Sequence, residues 1–480
     1  MERKKVIKFG TDGWRGVIAD DFTMDNVKIV TRGICEYLKL DVKTKNRKPR
    51  IVVGYDTRFL SDRFAEVAAD IFAENGIETY LSNRFVPTPV LSGAVVSNNA
   101  DLGVMITASH NPYYYNGYKI KGPYGGSATI DIVSRIEKRV NDLVGKNVED
   151  PGVLLEPGSF LKQKDFVSEY QDHILGLVDV DAIKGFNFRL LIDPMYGATQ
   201  KIYRDILQKF NPGKLIEIHS VLNPAFGGIN PEPIGDNLKD AIEKLSEEKC
   251  ELAICLDGDG DRVAALGRDG IFVSSHHIFA VILLHLIRNK KLEGKVIKTV
   301  STSSIIDRIC SRHGLELVVT PIGFKYISEE ILKGGVIMGG EESGGIWVKG
   351  NIPERDGMFI GLVLLEIINS CKKSINDILE DIYDEFGYFT YQRLDYEMSV
   401  EERDRIREKL SEGIPDLLKD EGVKEVVMID GFKYILSDGS WVMIRPSGTE
   451  AVVRIYAESD SKEKLERLHR LGKKVIYGLL

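Results

Sequence analysis

One arrangement is written three times along this 480-residue chain: a branched apolar run, an amphipathic stretch, further apolar runs and a polar loop. The first copy opens at Arg50 to Asp56, predicts a helix over about Asp62 to Asn75 closed by Gly76, and continues with strands at Ile77–Leu81 and Leu102–Ile106. It ends in Thr107-Ala108-Ser109-His110-Asn111-Pro112. The second copy opens at Arg189–Asp193, continues through a helix near Thr199 to Phe210, and closes with Leu252–Leu256 and Asp257-Gly258-Asp259-Gly260-Asp261-Arg262. The third opens at Lys295–Val300, with a helix near Ser304 to His313 and a strand at Leu315–Val319. It closes with Gly335–Met338 and Gly339-Gly340-Glu341-Glu342-Ser343-Gly344-Gly345. Strands alternating with helices predict mixed α/β layers with largely parallel sheets. Ligands of such sheets gather at the carboxyl ends of strands. Each polar loop is expected to follow the last strand of its unit, so three loops imply one cleft shared between domains.

From about Phe386 the pattern changes. Strands are expected at Tyr388–Met398, Val423–Ile429, Phe432–Leu436, Trp441–Ile444 and Val452–Ala457, with helices at Glu402–Leu410 and Glu463–Tyr477. The expected fold is therefore three related α/β domains with mixed, largely parallel sheets around a cleft, at residues 1–155, 156–270 and 271–385. A C-terminal α+β domain follows at 386–480.

The densest chemistry lies in the aspartate string. Glycines let the backbone fold so tightly that alternate side chains converge. Three hard oxygen ligands at a strand end suit a divalent cation such as Mg2+ and leave positions open for water or phosphate. A calcium EF-hand would need glycine at the sixth position and an acid at the twelfth. Those positions hold Arg262 and Arg268, which excludes it.

Ser109 sits between an apolar run and Pro112, outside any G-x-S-x-G elbow, and the chain has no Walker A loop. Alone it reads as a turn residue; beside a metal loop it becomes a candidate phosphoryl acceptor. Arg445-Pro446-Ser447-Gly448-Thr449-Glu450 groups a guanidinium, hydroxyls and a glycine backbone in a way that fits a phosphate dianion. Glu341 and Ser343 could grip sugar hydroxyls, or their loop could be a flexible turn. Arg15, on a glycine-bounded loop, and Lys119, ten residues after the serine, could each polarise a hydroxyl or stabilise phosphate charge. The eight histidines lack metal-ligand spacing, and His276, His277 and His285 read as structural.

A net charge of -8 argues against a general nucleic-acid binder. Five scattered cysteines without CxxC spacing argue against a disulfide framework or zinc site. The N-terminus has no apolar secretion core, and the longest apolar stretches, near Ile278–Ile287 and Met358–Ile368, are too short to span a bilayer. A cytoplasmic location is expected, with no membrane partner and no obligate protein partner evident.

Taken in order, TASHNP, DGDGDR, GEESGG and RPSGTE resemble the four motifs of the α-D-phosphohexomutase superfamily, over essentially the whole chain. The resemblance implies three related α/β domains and a different fourth. It implies that Ser109 is phosphorylated, and that Asp257, Asp259 and Asp261, with Ser109, bind one Mg2+ per chain. Arg262 would lie near the phosphate, Glu341 and Ser343 on sugar hydroxyls, and Arg445, Ser447, Gly448 and Thr449 on the substrate phosphate. Lys325, in Thr320-Pro321-Ile322-Gly323-Phe324-Lys325, could add a contact. The general acid/base stays open among Arg15, Lys119 and His110. The implied reaction exchanges a phosphate between O1 and O6 of a hexose through a hexose 1,6-bisphosphate, an intermediate and activator. Glu342 and Gly345 look like the glucose-type enzymes; mannose-tolerant and glucosamine-type members more often carry Met or Gln at the first position and His at the second. Phosphomannomutase or dual specificity, phosphoglucosamine mutase, a phosphosugar sensor and a metal-dependent phosphatase are the alternatives.

Overall fold

The computed structural model describes residues 6–10, 12–42, 47–146, 160–210, 212–448 and 450–480. Its strands form four sheets. In the first, Glu78–Ser82, Arg50–Tyr55 and Leu102–Ile106 run parallel side by side, and Tyr115–Lys121 adds antiparallel. The second repeats that order with Leu215–Glu217, Leu190–Asp193, Leu252–Leu256 and the antiparallel Val263–Gly267. The third repeats it again with Leu317–Thr320, Lys295–Thr299, Val336–Gly340 and the antiparallel Ile346–Val348. One strand order used three times makes the units structural relatives. Leu102–Ile106, Leu252–Leu256 and Val336–Gly340 are buried along their whole length. Parallel strands covered on both faces read as continuous apolar runs.

Two expectations change. Each polar loop was expected to follow the last strand of its unit; instead a further, antiparallel strand comes after it. The loops are therefore turns pinned by ladder hydrogen bonds at both ends. Tyr115–Lys121 escaped notice because it carries Asn116, Lys119 and Lys121, all buried. Sheet membership also crosses the expected boundaries. Leu161–Lys164 pairs with Glu78–Ser82 of the first sheet, and Phe272–Val273 pairs with the second. The 155/156 boundary itself lies outside the described residues.

The fourth sheet is antiparallel, in the order Thr390–Glu397, Val452–Ser459, Trp441–Pro446, Phe432–Leu436, Val423–Val427. Helices Val400–Ser411 and Lys462–Gly478 pack on one face around Ile406, Leu468, Ile444 and Ile455. The other face meets the third unit, where Trp441, Met443 and Tyr456 pack with Val300. One core cluster runs through all three α/β units, from Leu91 through Ile254 to Phe279 and Phe359. Helices Ser275–Arg288 and Gly357–Cys371 are apolar and buried almost all round because they sit inside this core. No helix among the described residues is long and apolar enough to cross a membrane.

Candidate active site

The serine loop leaves the buried strand Leu102–Ile106 and reverses into Tyr115–Lys121. Ser109 adopts φ +53°, a left-handed conformation that costs a side-chain-bearing residue on the order of 1–3 kcal/mol. Its N–H donates to Thr107 Oγ1 at 2.9 Å. Its hydroxyl donates to Asp257 Oδ2 at 2.9 Å, and His110 Nδ1 lies 3.4 Å from Ser109 Oγ. The candidate phosphoryl acceptor thus already touches the aspartate loop.

That loop is shaped by its glycines. Gly260 takes φ +71°, and a Cβ at Gly258 would stand 2.5 Å from the carbonyl oxygen of Ser109. One glycine permits the turn, and the other lets the two loops meet. Asp257 Oδ1 accepts the Arg262 N–H at 3.0 Å, which folds the string back on itself. All three aspartates are buried, and an oxygen from each lies within 4.8 Å of the others. Asp259 Oδ1 and Asp261 Oδ1 are buried with no hydrogen-bond partner. Burial, followed by the charges of Asp259 and Asp261, pushes Asp257 well above the usual carboxylate range. Buried, unpartnered, convergent carboxylate oxygens fit a hard divalent cation.

Lys119 reaches the same carboxylates from the first unit. Its buried Nζ lies 2.8 Å from Asp259, 3.0 Å from Asp261 and 2.9 Å from Asp12. Burial alone would lower its pKa, but Asp12, Asp259 and Asp261 overcome that and raise it. It remains a cation. Arg15 donates to Asn111 Oδ1 at the rim of the serine loop.

Sequence reading missed Arg355, a central member. Its guanidinium contacts Asp12 at 3.1 Å, Asp261 at 2.6 Å and Glu341 at 3.2 Å, joining loops from all three α/β units. The available signal was Glu354-Arg355-Asp356 standing directly before a helix whose first nine residues carry no charged or polar side chain. Asp12 and Thr88 were also missed; the Thr88 hydroxyl donates to Asp259 Oδ2. Burial raises the Glu341 carboxyl to about 7, against the pull of Arg355. Ser343 sits half-buried in the same turn. Glu342 accepts hydrogen bonds from Thr299 Oγ1 at 3.1 Å and Ser301 Oγ at 2.7 Å.

The remaining expected residues are spread more widely. Arg262 lies 3.4 Å from Glu232. Arg445 pairs with Asp430 at 3.1 Å on the face of the fourth sheet that turns toward the third unit, where Arg454 is its cross-strand neighbour. Ser447 is buried and Gly448 exposed; the Ser447 N–H donates to the Val452 carbonyl at 2.9 Å. Thr449 lies outside the described residues. Lys325 is the second residue of the helix Phe324–Lys333, with its ammonium 5.0 Å from the Tyr326 ring centre.

Four domain families match in order. They are the phosphoglucomutase/phosphomannomutase alpha/beta/alpha domains I, II and III, over residues 6–144, 168–270 and 274–386, and the C-terminal domain, over 399–470. A crystal structure from Thermus thermophilus, assigned provisionally as a phosphomannomutase, superposes with a TM-score of 0.85 at 31% identity, covering 99% of this chain and 100% of that one. A phosphoglucomutase/phosphomannomutase of Thermococcus kodakarensis is 27% identical, with 98% of each chain covered. A phosphoglucosamine/phosphogalactosamine mutase of Sulfurisphaera tokodaii is 28% identical over 98% of this chain and 99% of that one. With four domain matches in sequence order and a full-length structural relative, the chain belongs to the phosphoglucomutase/phosphomannomutase family of isomerases, within the α-D-phosphohexomutase superfamily.

Proposed function

We propose that this enzyme interconverts hexose 1-phosphate and hexose 6-phosphate, with glucose its preferred sugar, through a phosphorylated Ser109. The observation that carries this reading is the Ser109 hydroxyl held 2.9 Å from Asp257, at the edge of three convergent buried carboxylates. Asp257, Asp259 and Asp261, with phosphorylated Ser109, would hold one Mg2+, which neutralises charge on phosphoryl oxygens when bound. In the forward step the Ser109 Oγ–P bond breaks and a bond forms from phosphorus to the free hydroxyl of the sugar monophosphate. That hydroxyl gives up its proton, and Ser109 Oγ regains one. His110, whose Nδ1 lies 3.4 Å from Ser109 Oγ, serves as its proton partner. Lys119, already paired with three carboxylates, acts as a fixed positive charge on the transferring group. The product, a hexose 1,6-bisphosphate, turns round in the cleft and returns its other phosphate to the serine. Arg445, Ser447, Gly448 and Thr449 grip whichever phosphate is not reacting, Arg262 steadies the reacting one, and Glu341 and Ser343 hold ring hydroxyls.

The glucose reading rests on the resemblance of Glu342 and Gly345 to the glucose-type enzymes, and intramolecular contacts fix how these two positions sit. Glu342 is built into the strand-end hydroxyls Thr299 and Ser301. At Gly345 a Cβ would stand 2.1 Å from Arg355 Cδ, so Arg355 and a side chain at 345 exclude each other. With Mg2+ and a trace of bisphosphate, glucose 1-phosphate should be turned over faster than mannose or glucosamine 1-phosphate. Equal or better catalytic efficiency with either competitor overturns the sugar assignment, and release of inorganic phosphate in place of a sugar 6-phosphate overturns the mutase reading.

A further inference from the structure

Arg58 is buried beneath the serine loop and belongs to none of the four motifs. Its Nη2 donates to the carbonyls of Ser109 and Asn111, both at 2.6 Å. Its Nη1 donates to the carbonyls of Pro112 at 2.9 Å and Tyr115 at 3.1 Å. One guanidinium therefore gathers four carbonyls of the seven-residue segment 109–115. Beneath it, Asp56 Oδ2 lies 3.3 Å from Arg58 Nε and accepts the Thr107 hydroxyl at 2.5 Å. Thr107 Oγ1 in turn accepts the Ser109 N–H at 2.9 Å. The peptide groups on both sides of Ser109 are thus tied into a closed ring: Asp56 to Thr107, Thr107 to Ser109, Ser109 to Arg58, and Arg58 back to Asp56. Ser61 Oγ and the Arg58 N–H occupy Asp56 Oδ1 at 2.8 and 2.9 Å, so the carboxylate cannot swing away. From the second unit, Phe226 faces the guanidinium at 4.8 Å.

We propose that Arg58, acting with Asp56 and Thr107, is a positioning residue for phosphoryl transfer: it holds Ser109 in the left-handed conformation that aims Oγ at the aspartate loop. Within the serine loop the Arg58 guanidinium holds backbone carbonyls, and this role needs no contact with the sugar. The inference rests on Ser109 being the phosphorylated residue. A non-glycine φ of +53° persists only when its surroundings over-determine it, and the ring supplies that constraint. Lysine cannot replace arginine here, because a single ammonium does not span carbonyls arrayed around a planar fork.

The test uses the full-length enzyme with Arg58→Lys, Thr107→Val and Thr107→Ser. Each is phosphorylated with glucose 1,6-bisphosphate and the phosphorylated fraction counted by intact mass. The single-turnover rate of transfer to glucose 1-phosphate is then measured per phosphorylated chain, alongside KM. Arg58→Lys and Thr107→Val should slow transfer at least tenfold per phosphorylated chain, with KM within twofold of wild type. Thr107→Ser, which restores the hydroxyl, should recover most of the rate. Wild-type transfer per phosphorylated chain in both slow candidates, with losses confined to melting temperature or to the phosphorylated fraction, overturns the inference. Should Arg58→Lys not fold, the Thr107 pair decides alone. Ser109→Ala separates the two levels: turnover in that variant sinks the nucleophile assignment itself. An inactive Ser109→Ala beside fully active Arg58→Lys and Thr107→Val sinks only the positioning role.

Discussion

Gly345 and Arg355 show how much chemistry a single missing side chain can decide. Arg355 fills the space a Cβ at 345 would need and spends its donors on Asp12, Asp261 and Glu341. Gly345→His should therefore displace Arg355 and leave Asp12 and the buried Asp261 and Glu341 without the cation they share. Removing one partner of a buried pair costs about 3–5 kcal/mol, so a lowered melting temperature should accompany a loss of turnover of two orders of magnitude or more. Calorimetry and steady-state rates check both, and a fully active, equally stable variant would remove Arg355 from its central place. Arg445 makes a simpler case. A charge-assisted contact to a phosphate contributes roughly 1.5–3 kcal/mol. Arg445→Ala should thus raise KM for glucose 1-phosphate about ten- to a hundredfold and release more bisphosphate into solution. Unchanged KM and unchanged retention would place the phosphate grip elsewhere.

At the scale of elements, the proposed active site is a set of turns that must approach one another closely. Gly197 follows the strand Leu190–Asp193, and a Cβ there would lie 2.7 and 2.8 Å from the backbone of Gly258. Gly197→Ala should push the aspartate loop outward at a cost of about 1–3 kcal/mol, the usual range for overpacking. The concentration of Mg2+ giving half-maximal activity should rise several-fold; an unshifted Mg2+ dependence would show that the loop is not braced from this side. The four motif loops were legible in sequence because unusual glycine spacing beside polar groups survives without tertiary context. So were the buried parallel strands, whose apolar runs are continuous. Tyr115–Lys121 was not legible, because its buried lysines are neutralised by Asp12, Asp259, Asp261 and Glu354, which arrive from elsewhere in the chain. The helix Thr88–Ser97 was missed for a related reason. It is apolar nearly all round and lies inside the core shared by the units, so it shows no helical periodicity. Arg58 and Arg355 look like ordinary charges until the fold surrounds them.

At the scale of the whole molecule, the three α/β units share a core while the fourth domain meets the third across a smaller seam. His276 stands at that seam beside Tyr391, Lys298 and Lys433, and His277 next to it packs against Tyr383 and Phe389. Burial, reinforced for His276 by His277, Lys298 and Lys433, lowers the two imidazoles to about 3 and about 4. His276 Nδ1 accepts the Ser303 N–H at 3.3 Å, and His277 Nε2 lies 2.8 Å from the Tyr383 hydroxyl. Between these values and the unfolded value of 6.5, the unfolded chain binds more protons than the folded one. Stability should therefore fall as pH drops below 6.5, by about 1.4 kcal/mol per pH unit for each histidine. The melting temperature should decline from pH 6.5 to 5 and decline less steeply in His276→Gln; parallel slopes would contradict the assignment.

The central claim is that Ser109 gives its phosphate to a sugar and takes another back, and a label chase tests it most directly. Enzyme carrying radiolabelled phosphate on Ser109 is mixed with unlabelled glucose 1-phosphate and Mg2+, and the label is followed through one turnover. The account predicts that label leaves the protein and appears in glucose 1,6-bisphosphate and glucose 6-phosphate. Label that stays on the protein during turnover, or that departs as inorganic phosphate, would contradict it.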